Sequence, residues 1–172
     1  TAWDVYAMDG NGCMTGPLDV TISADPEPLI SASIDNQCAA GDGSFQVTIT
    51  LDTPGVAPHF LSLDGGAFQD SGMAVAGDTY TFTGLFAGLH NIDVRDANGC
   101  SHSVSITIEP PLELTAQATA QPSCLASDGE IVITAQGGSG NYAYDLLDGS
   151  GNSITGNATQ ASNVFSGLAD GS

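Results

Sequence analysis

The sequence predicts an all-β chain made of tandem immunoglobulin-like β-sandwich repeats of about 86 residues each. Two observations support this prediction. Strand-like alternation of apolar and polar residues recurs at intervals of roughly 8–12 residues, and no segment has the period of an amphipathic helix. In addition, a set of motifs occurs twice at a nearly constant separation. A repeat of that length is a small domain, so the strands are divided between copies of one unit.

The most informative motif is Asp-x-Asn-Gly-Cys, which ends at Cys13 and again at Cys100, 87 residues later. Each copy lies between two alternating stretches. Asn-Gly in that setting predicts a β-hairpin with a type I′ turn, in which both central residues have positive φ.

Three further motifs keep almost the same separation. Cys38 and Cys124 are 86 residues apart, and each is followed by Asp-Gly and an apolar alternation. The other two motifs are Asp-Gly turns at Asp64 and Asp148 and Phe-[Ser/Thr]-Gly-Leu segments that begin at Phe82 and Phe165. Their shared order predicts two periods of one repeat.

The motif order also predicts that the chain is cut out of register with its domains. Residues 1–24 are interpreted as the last hairpin of a preceding or neighbouring repeat, residues 25–109 as a complete repeat, and residues 110–172 as a repeat lacking its last hairpin. The segments Asp25–Pro28 and Glu109–Pro111 mark the junctions, because proline cannot join a central ladder.

Two explanations of this register remain open. The chain is a window of a longer tandem array, or a subunit whose first hairpin completes a neighbouring copy by donor-strand pairing. We favour the window, because domain boundaries rarely fall inside a strand.

The strands follow from the alternation in chain order. A strand precedes the first hairpin turn, and residues 67–78 are a loop with one short strand at most. In the strand at Phe45–Leu51, the alternating apolar residues predict one buried and one solvated face. The other predicted strands are Leu18–Ser23, Phe60–Leu63, one through Tyr80 and Phe82, one through Ile92 and Val94, Val104–Ile108, Leu112–Ala120, Ile131–Ala135, Tyr142–Leu147 and Asn163–Leu168.

The charge of the chain excludes two classes of partner. One basic residue stands against 20 acidic residues, which gives a net charge of −19. Nucleic acids and anionic membranes are bound through basic patches, so neither is an expected partner. No apolar stretch is long enough to cross a membrane. The composition suits a solvated extracellular surface.

The four cysteines, Cys13, Cys38, Cys100 and Cys124, predict disulfides in an oxidising compartment, since their number is even and none has CxxC spacing. With seven strands per repeat, first-turn and hairpin cysteines lie at opposite ends of a domain. The expected bond then joins each first-turn cysteine to the hairpin cysteine of the following domain. Six strands would instead allow a Cys38–Cys100 bond within one domain.

Oxygen-bearing side chains near the hairpin turns are candidate Ca²⁺ ligands. The spacing lacks the full Ca²⁺-binding loop pattern, and an Asx-type turn explains the same residues. No cofactor is therefore predicted, and Ca²⁺ is kept as a hypothesis. The candidate residues are Asp9, Asn11, Asp93, Asp96 and Asn98.

The remaining motifs give no enzyme site. Asn157 begins an Asn-x-Thr glycosylation sequon, and Tyr142, Tyr144 and Trp3 are aromatic residues that suit sugar stacking, although strand aromatics are more often core. No Ser/His/Asp, paired-glutamate or Cys/His arrangement is present, and the aspartates lie in Asp-Gly turns. We therefore expect a protein that is not an enzyme.

The concatenated motif order resembles the tandem repeats of giant surface adhesins from gliding Bacteroidetes, the SprB-type repeats. The resemblance covers essentially the whole chain. It departs at Trp3 and His90, where the family usually has a tyrosine before the hairpin cysteine. It implies a secreted or cell-surface filament used in adhesion and gliding.

We therefore expect a structural or adhesive segment of an extracellular filament, a stiff tandem-repeat stalk whose partners are neighbouring copies of the same repeat, head to tail. The alternatives are a carbohydrate-binding or other recognition module of a secreted protein, and a subunit of a donor-strand fibre.

Overall fold

The computed structural model describes residues 2–124, 126–154 and 160–169. In this part of the chain the regular elements are all strands, and no helix is present that could span a membrane. The all-β prediction is confirmed. The strands are β1 (Ala2–Val5), β2 (Leu18–Thr21), β3 (Leu29–Ile34), β4 (Phe45–Thr53), β5 (Phe60–Leu63), β6 (Gln69–Asp70), β7 (Thr79–Leu85), β8 (Gly88–Arg95), β9 (Ser101–Ile108), β10 (Glu113–Ala120), β11 (Gly129–Gln136) and β12 (Val164–Leu168).

The strands form four sheets with the orders β1-β2, β3-β4-β7, β6-β5-β8-β9 and β10-β11-β12. Seven of them, β3 to β9, lie within residues 25–109, which is the number that the turn spacing predicts. The two sheets that they form are consistent with the predicted β-sandwich.

The described residues divide into two compact units. The first comprises the described residues of Thr1–Ala32, Ile49–Tyr80 and Asn91–Ser105. Its buried apolar side chains come from strands β3, β4, β5 and β8 and, for Met73, from the segment between β6 and β7. They are Ile30, Ile49, Leu51, Leu61, Met73, Ile92 and Val94.

The second unit comprises the described residues of Ser33–Thr48, Thr81–His90 and Ile106–Ser172. Phe45 and Val47 are fully buried, which confirms the inward face predicted for this stretch of β4. The other buried apolar residues of this unit are Leu85, Ile108, Ile133 and Phe165. After the linker at residue 109, therefore, burial is concentrated in β11 and β12.

Two strand predictions need correction. The sequence does not predict strand β3, because the prolines of Asp25–Pro28 favour a linker at this point. Its alternating residues Ile30, Ala32 and Ile34 nevertheless point inward. The predicted strand Tyr142–Leu147 forms only two isolated bridges, Tyr144 with Gln160 and Leu147 with Ser153.

The hairpin turns are also not the predicted type I′. Gly12 and Gly99 have positive φ (82° and 87°), but the asparagine before each does not, since Asp64 is the one described non-glycine residue with positive φ. The Gly99 N–H donates to Asp96 O at 3.1 Å. This bond closes a four-residue turn from Asp96 to Gly99, and Gly99 has left-handed backbone geometry. The arrangement is the three-residue hairpin loop with a glycine bulge.

Candidate functional site at the repeat junction

An aspartate holds each hairpin turn. The Oδ1 atom of Asp96 accepts the N–H groups of Asn98 (3.0 Å) and Cys100 (2.9 Å). Asp9 makes the same pair of bonds in its own hairpin, at 2.9 and 2.8 Å. A carboxylate that accepts these amides favours the type I geometry over the type I′ alternative. The Asx-type interpretation of the motif is thus seen in both copies.

A third turn of this kind lies at Asp148, where the sequence predicts an Asp-Gly turn but not the role of the aspartate side chain as acceptor. Asp148 Oδ1 accepts the N–H groups of Ser150 (2.8 Å) and Asn152 (2.9 Å), and Gly151 takes the left-handed position. The signal was present, because an aspartate followed three residues later by glycine is the spacing that Asp96 and Gly99 share.

In the repeat at residues 25–109, the loop of residues 54–59 forms a seat for the hairpin turn. The Val56 N–H donates to Asp96 Oδ2 (3.0 Å), and the Ala97 N–H donates to Val56 O (2.9 Å). A Cβ atom at Gly55 would lie 2.5 Å from Asp96 Oδ2, so this close approach requires glycine. Asp96 is consequently only 2% exposed.

The fully buried side chain of His59 holds this loop by hydrogen bonds. His59 Nε2 accepts the Gly55 N–H at 3.2 Å, and His59 Nδ1 lies 3.0 Å from Met73 O. With Nε2 accepting, the ring proton is on Nδ1 and donates to the carbonyl. The two hydrogen bonds of His59 therefore hold the loop of residues 54–59 in the conformation that binds the hairpin turn.

These hydrogen bonds lower carboxyl pKa values. The Val56 N–H is the largest cause of the lowered pKa of Asp96, and the amides of Cys100, Asn98 and Gly99 add to it against an opposing effect of burial. The Asn152 backbone N–H is the main cause of the lowered pKa of Asp148. Because these donors stabilise the charged form, both carboxylates act as hydrogen-bond acceptors that hold the turns.

Two of the other candidate Ca²⁺ ligands have side-chain partners in the protein. Asp93 Oδ1 accepts the hydroxyl of Ser103, and Asn98 Nδ2 donates to Asp25 Oδ2 at 2.8 Å. Among the described residues no three acidic, histidine or cysteine side chains are grouped to hold a metal ion. Calcium binding stays a prediction that the hairpin geometry does not require.

The cysteines form no disulfide within this chain. All four are free thiols, with Cys100 half-buried and the others exposed. The alternative bond within one repeat, between Cys38 and Cys100, is therefore not formed, and a bond between neighbouring repeats stays a prediction.

The turn that carries Cys38 is clamped to the linker. Gln37 Nε2 donates to Glu109 O at 2.8 Å, and the Glu109 N–H donates back to Gln37 Oε1 at 3.1 Å. The Gln37 amide thus bonds both backbone groups of Glu109, as a neighbouring strand residue would. These two hydrogen bonds fix Glu109, the linker residue that precedes Pro110.

The loop of residues 137–143 holds the linker from the other side. The Gly138 N–H donates to Pro110 O at 2.7 Å. Gly137, at φ 79°, comes so close to Pro111 that a Cβ atom would lie 1.9 Å from the proline carbonyl oxygen. The Tyr142 hydroxyl donates to Gly137 O at 2.7 Å and supports this loop. Gly137 is thus required by its close approach to the linker.

Between these contacts lies a cleft of about 510 Å³. Its walls are the Cys38 turn, the linker at residues 109–112 and the loop at residues 138–142. The Tyr142 and Tyr144 rings pack against each other at 6.3 Å with a 53° tilt. The sequon residue Asn157 lies outside the described residues.

The fold is that of an all-β protein in which hydrogen bonds hold the proline linker at residues 109–111. The comparison with family models supports a surface adhesin-like repeat segment. Residues 116–151 match the family model of the SprB repeat, so the recognition from motif order is confirmed for this stretch. SprB repeats occur in cell-surface proteins. Neither the comparison with curated proteins nor the comparison with solved structures gave a match.

Proposed function

We propose that this chain is part of a stiff tandem-repeat stalk of a secreted or cell-surface adhesin, with a mechanical and non-catalytic role. The observation that carries the proposal is the junction. Residues 109–111 are held by Gln37 on one side and by Gly137 and Gly138 on the other. A linker fixed on both sides cannot act as a free hinge.

The physical reason is the small number of free torsions at this linker. Proline fixes φ in two successive residues, and prolines in series make semi-rigid spacers. The hydrogen bonds then restrict the orientation of the backbone on each side of them. A periodic chain with such linkers keeps its length and direction, which suits an element that spaces an adhesive surface from the cell.

Charge supports an extracellular filament. The net charge is −19, and the single arginine, Arg95, stacks on the Phe68 ring at 4.3 Å. Neighbouring filaments therefore repel each other at low ionic strength and remain separate. The partners that we propose are copies of the same repeat, head to tail, in a protein used for surface adhesion and gliding.

The test is the shape of a chain in which the whole 172-residue segment of two periods is concatenated twice, because the linker contacts join Gln37 of one period to Gly137 and Gly138 of the next. Electron micrographs are expected to show thin, straight rods of uniform length. Replacing Gln37 by alanine in both copies is expected to give bent rods with a broad end-to-end distribution. Gln46→Ala, an exposed side chain on β4, is the matched control. Flexible beads in the unaltered chain would refute the stalk function.

A second candidate function is carbohydrate recognition, and the Tyr142–Tyr144 ring pair beside the junction cleft favours it. Partly exposed aromatic faces stack on sugar rings. A glycan array decides this alternative: saturable binding that is lost in Tyr144→Ala would support it, and an array without signal would remove it.

A further inference from the structure

The outer face of the sheet β6-β5-β8-β9 carries the one basic residue of the chain. Leu61 of β5 and Val94 of β8 lie opposite each other and are at most 2% exposed, so they face the core. Their neighbours Phe60 and Arg95 are also paired, and successive side chains of a strand point to opposite faces. Phe60 and Arg95 therefore lie side by side on the outer face, with Asp70 of β6 on the other side of Phe60.

The Arg95 guanidinium is stacked on an aromatic ring and is not ion-paired. Its central carbon lies 4.3 Å from the centre of the Phe68 ring, and Phe68 is 37% exposed. Among the described residues no carboxylate makes an ion pair with Arg95, although the chain has 20 acidic side chains. Two carboxylates of this sheet have other partners, since Asp93 Oδ1 accepts the Ser103 hydroxyl and Asp70 Oδ1 accepts a backbone N–H at 2.9 Å. The guanidinium N–H groups thus remain for a ligand.

The stacked pair is a departure from the repeat plan. Met8 precedes the turn aspartate of the β1–β2 hairpin at the position that Arg95 has in the β8–β9 hairpin. Both hairpins form the same aspartate-centred turn, so the turn does not require an arginine there. Phe68 likewise follows its Asp-Gly turn at the position that Asn152 has in the other copy. The repeat fold therefore explains neither residue of the pair, which indicates a role specific to this stretch.

We propose that the Arg95 patch, formed by Phe60, Phe68, Asp70 and Arg95, binds a carboxylated sugar residue, a hexuronic acid of a surface polysaccharide. A guanidinium donates two parallel N–H bonds to a planar carboxylate. Because stacking on Phe68 already restricts the Arg95 side chain, less rotamer entropy is lost when the carboxylate binds. This binding site goes beyond the stalk function and does not depend on it.

The residues around Arg95 favour a sugar acid over an acidic protein segment. Phe60 is half-buried, so part of its ring is open to the apolar C–H face of a sugar ring. Asp70 is exposed, and its Oδ2 atom has no partner among the described residues. A carboxylate oxygen accepts hydrogen bonds from hydroxyl groups, which a sugar has and an aspartate or glutamate side chain lacks. An acidic peptide would instead place further carboxylates against Asp70.

The charge of the whole chain favours a ligand with one negative charge. A chain of net charge −19 repels a phosphate dianion or a polyphosphate more strongly than a single carboxylate. The attraction to Arg95 acts at contact distance, where salt screens it less than it screens the long-range repulsion. With one guanidinium and two rings, the dissociation constant for a single sugar is expected to be on the order of millimolar.

An NMR titration of the full chain with methyl β-glucuronide tests the binding site. Saturable shifts are expected at the backbone amides of Phe60, Phe68 and Arg95 and at the Arg95 side-chain Nε–H. Methyl β-glucoside has a hydroxymethyl group in place of the carboxylate, and it should bind at least roughly tenfold more weakly because the charge-assisted hydrogen bonds are lost. Equal shifts with both sugars, or no shifts with either, would overturn the proposal.

Variants of the patch separate binding from folding. Arg95→Met introduces the residue type of the other hairpin, so the melting temperature should stay unchanged while glucuronide binding is lost. Arg95→Lys keeps the charge without the planar fork and should also lose most of the affinity. Phe68→Ala should weaken binding by roughly three- to tenfold, because the guanidinium loses its support. Phe86→Ala removes an exposed ring outside the patch (63%) and is the matched control. Wild-type binding by Arg95→Met, or lost binding in the control, would contradict the assignment.

Competition with three simpler anions identifies the ligand class. Acetate has the carboxylate without a sugar ring, tetraglutamate represents an acidic protein segment, and inorganic phosphate represents a phosphorylated ligand. Each is expected to displace methyl β-glucuronide only at higher concentration. Tighter binding of tetraglutamate or phosphate would overturn the choice of a sugar acid, and equal binding of acetate would remove the contribution of the rings and with it the sugar. A failed titration would leave the stalk function standing, because the rod shape of the concatenated chain is measured independently.

Discussion

The two repeats share a sequence plan and differ in closure. In the first, Phe45, Ile49 and Ile92 have no exposed surface. In the second, the outer strand β10 is exposed along its entire length, and Ile133 and Phe165 are the buried apolar residues among those that the structure describes. Within the described residues the hairpin β8–β9 belongs to residues 25–109. Strand alternation is thus common to both stretches, whereas the extent of burial is not.

The two hairpin turns give the same comparison on a smaller scale. Asp9 and Asp96 accept the same two backbone amides. Asp96 additionally accepts the Val56 N–H and is buried, whereas Asp9 is exposed. The conformation of the turn is thus determined by neighbouring residues, whereas the burial of Asp96 comes from its contact with the loop of residues 54–59.

The largest expected effect concerns the two cores. Phe45→Ala should destabilise the first repeat by about 3–5 kcal/mol, because it leaves a cavity in a closed core. Ile131→Ala, at the corresponding half-buried position, should cost less than about 2 kcal/mol. Hydrogen exchange followed peptide by peptide in β4 and β11 measures each loss separately. Equal losses would show that the second core is closed in solution.

The next effect concerns the hairpin aspartates. In Asp96→Asn the side-chain amide can take two orientations. In one, its NH₂ group faces the Val56 N–H, and in the other it faces the N–H groups of Asn98 and Cys100, so one acceptor is lost in either case. The melting temperature should fall clearly. Asp9→Asn lacks this second partner and should leave it almost unchanged. Calorimetry of both variants checks this, and matching melting curves would contradict a role for the loop seat.

Acid should act through the same carboxylates. The pKa values of Asp78, Asp96, Asp128 and Asp148 are lowered from 3.8 by hydrogen bonds in the fold. Their stabilising contribution is present above pH 3.8 and is lost as the pH falls through the lowered values. Urea midpoints should therefore fall as the pH is lowered below 3.8. The drop should be smaller in Asp96→Asn, and an unchanged slope would exclude Asp96 as a contributor.

The smallest expected effect is in the first hairpin. The hydrogen bond that protonated Asp4 donates to Asp19, and then burial, raise the pKa of Asp4, which lies directly opposite Asp19 on the neighbouring strand. The stabilising protonated form is present at acid pH and is lost as the pH rises through the raised pKa. At neutral pH the facing charges oppose pairing.

Asp19→Asn should therefore slow hydrogen exchange in β1 and β2 slightly at pH 7 and have no such benefit in acid. Glu113→Gln removes a charge that faces Gln136 instead of a carboxylate, and serves as the control. If both variants change exchange alike, net charge alone explains the effect.

Much of the fold was predictable because strand periodicity is local. The alternation at Phe45–Leu51 gave the inward face, and the loop at residues 67–78 contained the one short strand, β6. The type I′ turn was wrong because the aspartate side chain outweighs the Asn-Gly preference. The clamp by Gln37 and the role of Gly137 were not predictable, since both join residues that are far apart in the sequence.

The sequence by itself determined the repeat, the strands and the turn aspartates, because each depends on neighbours within a few residues. Only the tertiary structure decided which copies of those elements are buried. Burial of Asp96 and the hydrogen bonds between Gln37 and the linker depend on which strands are brought together, and a periodic sequence repeats the elements without stating how they are assembled.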